Sequence, residues 1–102
     1  MPFVPMKKLM THAMAGGYAV PSFCAWSCET MEAILHAAQE LRAPVMLMAG
    51  PVEYRVLKPR VWAAMARAVM EDYDIPAALV LDHGDSVDLA RECLDLGYTS
   101  VM

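Results

Sequence analysis

An apolar run, Leu79-Val80-Leu81, opens directly onto Asp82-His83-Gly84-Asp85-Ser86. A carboxylate beside an imidazole supplies a proton acceptor and a metal ligand at neighbouring positions. If the run is a strand, adjacent side chains leave opposite sides of the backbone, so the two can take separate roles unless the chain curls at the strand end. The plainer alternative is that Asp82 braces the loop and His83 donates one hydrogen bond. Gly84 suits either reading because it lets the backbone turn sharply. Asp85 or Ser86 reads as the cap of a following helix, with Asp88 near that helix's positive end.

Other chemistry-bearing residues are less suggestive. Cys24 and Cys28, with His83 on the same strand-end face, can in principle form a soft metal site, but C-x₃-C is not a strong zinc spacing and favours loop or packing thiols. Their odd number, with Cys93 as the third, points to free thiols in a reducing compartment. His12 and His36 fall within helical patterns, away from strand ends, where they serve surface or packing roles.

The elements that must position Asp82 and His83 follow from periodicity. Met6, Leu9, Met10, Ala13 and Met14 mark an amphipathic helix over residues 5–15, with Gly16-Gly17 as its stop. Tyr18 to Phe23 reads as a short buried strand, weakened by Pro21, which has no ladder donor. Ser27 or Thr30 caps a helix presenting Met31, Ile34, Leu35, Ala38 and Leu41. Pro44 to Ala49, a loop from Gly50 to Pro59, and a helix bearing Trp62, Met65, Ala66 and Val69 repeat the pattern, with Pro59 in the helix's first turn. Ala77 to Leu81 and a helix from Ser86 to Leu96 repeat it again, ending at Gly97. The βα units therefore span 18–41, 44–73 and 77–96, with a fourth strand over 98–102. Strands apolar throughout belong to parallel sheets covered on both faces. A doubly wound sheet and a barrel both begin this way.

The whole composition is that of a packed α/β domain: 58% hydrophobic, 20% charged, with ten methionines among 102 residues. A net charge of −4, with eight scattered Lys and Arg, leaves no footprint for nucleic acid. No apolar run approaches the ~20 residues that span a bilayer, and the lysines near the N-terminus do not precede an apolar core as in a leader. These features predict a cytoplasmic protein with no membrane partner. A closed eight-stranded α/β barrel needs about 200 residues or more, so the chain is expected to be the first half of something larger.

The string YAVPSF, then ETMEAILHAAQELRAPVML, VMEDYDIPAALVLDHGDS and LARECLDLGYTSVM, in that order, resembles the N-terminal half of the class II, zinc-dependent ketose-bisphosphate aldolases, which act on fructose or tagatose bisphosphate. The resemblance implies half of a (β/α)₈ TIM barrel and reversible aldol cleavage of a ketose 1,6-bisphosphate to dihydroxyacetone phosphate and glyceraldehyde 3-phosphate. It implies that Asp82 exchanges a proton with the C4 hydroxyl and that His83 is one of three zinc ligands, the others lying beyond this chain. Ser22, Cys24, Trp26 and Met48 match the region that lines the substrate site. Cys24 stands where many relatives have asparagine, and Met48-Ala49-Gly50 lacks the serine or threonine common there.

These departures keep a related barrel lyase with a different carbonyl substrate in view. A further alternative is a non-catalytic half-barrel that self-associates or pairs with a complementary C-terminal half through its open strand edges. The 102 residues alone are expected to be inactive.

Overall fold

The computed structural model describes residues 3–102. Helix α1, Met6–Gly16, buries Leu9 and Ala13, an i, i+4 pair on one face. Gly17 ends it in the left-handed region at φ 70°, returning its N–H to the Ala13 carbonyl. Strand β1 is only Ser22–Cys24, shorter than the Tyr18–Phe23 expected. Pro21 is the reason: it has no N–H to give and contributes only its carbonyl, which accepts from the Met46 N–H at 2.9 Å. Helix α2, Cys28–Glu40, and strand β2, Val45–Ala49, follow. Helix α3, Pro59–Met70, strand β3, Ala77–Leu81, helix α4, Val87–Asp95, and strand β4, Ser100–Val101, complete the order.

Strand β4 starts two residues later than expected because Tyr98 turns into the helix layer, where it is buried. Serine takes both contested caps: Ser27 accepts from the Thr30 N–H at 3.2 Å, and Ser86 from the Leu89 N–H at 3.1 Å. Ser86→Ala should therefore cost about 1 kcal/mol of stability, read as a lower denaturation midpoint; an unchanged midpoint would remove the cap from the energetics.

All pairings among the described residues are parallel, and the strand order is β1-β2-β3-β4. A doubly wound sheet reverses its order at a switch point, whereas here each strand adds to the same edge, as in a barrel wall. Register decides which side chains share a face. Ser22, Met46 and Ala78 lie in one row, and Cys24, Met48 and Val80 in the next, on the same side. Leu9 of α1 packs against that side, with Met46, Ala78 and Val80. The row Phe23, Leu47 and Leu79 faces the other way, where Leu47 and Leu79 join Leu35, Trp62 and Cys93 of α2, α3 and α4 in one core while Phe23 stays exposed.

Two long-range ties matter for the site. Helix α1 is anchored at the starts of the strands, where the Val4 N–H meets the Ala77 carbonyl at 2.8 Å and the Met6 N–H meets Ser100 Oγ at 2.8 Å. The opposite ends, where the strands' carboxyl termini open, are thereby left to the loops. There Trp62, fully buried, donates its indole N–H to the Ala25 carbonyl at 2.7 Å and stacks on Tyr98 at 5.4 Å. The loop leaving β1 is thus held by the helix layer.

Candidate strand-end site

Asp82 directly follows β3, and its N–H donates to the Ala49 carbonyl at the end of β2, 2.9 Å away. This extends the β2–β3 ladder by one bond and fixes where the carboxylate emerges. The chain then leaves the strand: His83 takes a left-handed φ of 50°, uncommon for a residue with a side chain and concentrated at functional turns. The curl breaks the alternation of a strand. Both side chains reach the same rim, with His83 Nε2 3.7 Å from Asp82 Oδ1. Asp82 keeps 19% of its side-chain surface and His83 keeps 83%, so the carboxylate is sheltered while the imidazole is presented to solvent.

Glycines allow this turn by close approach. A Cβ on Gly50 would sit 2.0 Å from the Asp82 carbonyl oxygen, which no packed structure accommodates. One on Gly84 would lie 2.8 Å from Leu81 Cδ2 and 2.9 Å from the Met102 carbonyl, the same carbonyl that accepts the Gly84 N–H at 2.8 Å. The Asp82-His83 turn is clamped between the ends of β2 and β4.

Of the residues expected to line a substrate, Cys24 and Met48 share the last paired row of β1 and β2, next to the mouth. Ser22 lies on the same face but one row deeper, beside Met46. Trp26 is exposed in the loop after β1. His36, on α2, is 3.5 Å from Glu40 on its own helix, and His12 lies on α1, so neither joins the mouth. Cys24 and Cys28 are free thiols and exposed, while Cys93 is free and buried. Among the described residues, no three His, Cys, Asp or Glu gather closely enough to hold a metal ion.

Sequence reasoning passed over Glu53. The loop after β2 makes a single 3₁₀ turn at Glu53–Arg55, which carries this carboxylate back under Gly50, where Oε2 accepts the Gly50 N–H at 3.0 Å. Glu53 is only 6% exposed, the one buried charged residue among those described. Tyr54 holds the same turn from the other side, donating its hydroxyl to the Ala49 carbonyl at 3.2 Å and hydrogen-bonding to the Tyr98 hydroxyl. The one available signal was a Glu three residues after a glycine at the end of an apolar strand. At the mouth, the Cys24 thiol is pushed up from its ordinary pKa by partial desolvation, then by the Glu53 carboxylate, then by Asp82.

The family model for class-II fructose-bisphosphate aldolases matches residues 4–102. A fructose-bisphosphate aldolase of Treponema pallidum (strain Nichols) is 36% identical over 104 residues, covering 97% of this chain and 31% of that protein. The YdjI aldolase of Escherichia coli K12 superposes with a TM-score of 0.91 over 98% of this chain and 39% of its own, at 21% identity, a likeness of fold. A candidate fructose-1,6-bisphosphate aldolase from Coccidioides immitis does so with a TM-score of 0.80, 26% identity, and 93% and 38% coverage. The chain thus spans less than half the length of each of these relatives, consistent with a half-barrel.

Proposed function

The chain belongs to the class-II fructose-bisphosphate aldolase family, and from that premise we propose that it carries the acid/base half of a zinc-dependent ketose 1,6-bisphosphate aldolase, cleaving its substrate reversibly to dihydroxyacetone phosphate and glyceraldehyde 3-phosphate. The observation that supports this best is the Asp82-His83 turn, which brings a sheltered carboxylate and a presented imidazole to one rim at a strand's carboxyl end.

In this reading Asp82 takes the proton of the C4 hydroxyl as the C3–C4 bond breaks and returns it during condensation. Its partial shelter leaves less water to compete with a bound substrate hydroxyl for the carboxylate. The backbone bond to Ala49 and the contact with Gly50 hold it in place while the proton moves.

The donor set fits one corner of a zinc site. His83 offers an imidazole nitrogen of the kind zinc takes, exposed enough to be reached, on a left-handed backbone turn. When bound, the ion supplies Lewis-acid stabilisation of the negative charge left by cleavage. The remaining ligands come from polypeptide outside these residues. We read the open edges of β1 and β4 in the same way, as the places where the rest of a (β/α)₈ barrel pairs, and we read the protein as cytoplasmic.

Calorimetric zinc titration tests the ligand assignment. These 102 residues alone should bind zinc weakly, having one ligand. In the complete protein, His83→Ala should weaken binding by more than the roughly 10–100-fold that losing an outer-shell partner costs. Zinc bound with equal affinity by the variant would take His83 out of the site.

A further inference from the structure

Glu53 has no part in the mechanism above, yet it is a buried carboxylate beside the strand ends, and such a group is costly unless it is hydrogen-bonded or paired. Its Oε2 is anchored by the Gly50 N–H at 3.0 Å, and Gly50 in turn lies against the Asp82 carbonyl. Its charge is therefore fixed relative to Asp82. Cys24 pairs with Met48 on the last row shared by β1 and β2, and Met48 lies just before the Ala49-Gly50 step whose N–H anchors Glu53. Burial first, then the Glu53 and Asp82 carboxylates, push that thiol's pKa up.

We propose that Glu53 is a specificity-determining residue of the mouth: its fixed negative charge excludes phosphate and carboxylate groups from the corner beside Cys24 and reserves that corner for an uncharged, hydroxyl-bearing part of the substrate. Discrimination of this kind works through repulsion of the wrong group as much as attraction of the right one. A substrate hydroxyl entering the corner finds acceptors, the Asp82 carboxylate and the Cys24 sulfur. A phosphate entering it meets two like charges. The proposal rests on reading the mouth as a sugar-phosphate site, since that is what makes exclusion of an anion meaningful, but its test needs no turnover.

Cys24 is itself the reporter. Neutral iodoacetamide and anionic iodoacetate are nearly the same size and attack the same thiolate, so the fraction of thiolate cancels in the ratio of their rates and only the reagent's charge remains. Rates are followed separately at Cys24 and Cys28 by mass spectrometry of the intact, folded protein. Glu53→Gln keeps an acceptor for the Gly50 N–H while removing the charge, and should raise the iodoacetate-to-iodoacetamide ratio at Cys24 by roughly threefold to tenfold. The ratio at Cys28 should stay unchanged. If the buried position rejects glutamine and the protein unfolds, Glu53→Met removes the same charge with an apolar side chain of similar length and must move the Cys24 ratio in the same direction. An unchanged ratio at Cys24 in a folded variant, or equal changes at both thiols, overturns the proposal. Loss of aldolase activity with a shifted ratio, or retention of activity with an unshifted one, separates this inference from the reading of the function.

Discussion

Asp82→Ala in the complete protein is expected to lower kcat by roughly 10²–10⁴-fold while zinc stays bound. The size follows from the loss of a positioned proton acceptor. The survival of the metal site follows from how the turn is built. Its long-range bonds are made by backbone: the Asp82 N–H to the Ala49 carbonyl and the Gly84 N–H to the Met102 carbonyl. Neither needs the carboxylate, whose ion pair among the described residues is with His83 at 3.7 Å. Truncation should therefore leave the circular-dichroism spectrum and the metal content alone and remove turnover. Near-normal kcat would take Asp82 out of the mechanism; lost metal would make it a structural brace, the plainer reading of the sequence.

Gly50→Ala should be nearly as damaging, although position 50 carries no reacting group. The added methyl would overlap the Asp82 carbonyl oxygen at 2.0 Å, and the obstacle is backbone, which cannot swing aside as a side chain does. Either the β2 loop or the Asp82 turn must move by an ångström or so. Overpacking of this kind costs about 1–3 kcal/mol of stability, and a displacement near 1 Å at the carboxylate proposed as proton acceptor would cost roughly a hundredfold in rate. Activity and thermal midpoint, measured on the same preparation, should fall together. A variant with wild-type kcat would show that the contact is slack.

Much of the frame was legible because βα units announce themselves. Continuous apolar runs such as Val45–Ala49 and Ala77–Leu81, short and bounded by turn residues, read as buried parallel strands, and their separation fits crossover helices. The Asp82-His83 turn was legible from its place after such a run. What escaped depended on contacts between distant segments or on a turn's exact path. Nothing in YAVPSF tells how many residues Pro21 removes from the ladder. Tyr98 looks like a strand residue until Trp62, far away in the chain, offers a ring to stack on. Glu53 reads as an ordinary loop charge, because its burial comes from one 3₁₀ turn that folds it back beneath Gly50. Among the expected lining residues, register separates Cys24 and Met48 at the rim from Ser22 one row below, and register is a property of the pair of strands, not of either alone.

The order β1-β2-β3-β4 also bears on how such a site comes into being. Each strand pairs with the one made just before it, so the sheet can grow at a single edge as the chain is synthesised, without waiting for a distant segment to insert. The clamp on Asp82 is complete once Met102 has docked on Leu81 and Gly84. On this schedule the Asp82 turn is set in place early, so the carboxylate proposed to move the proton is held before the proposed metal site is completed.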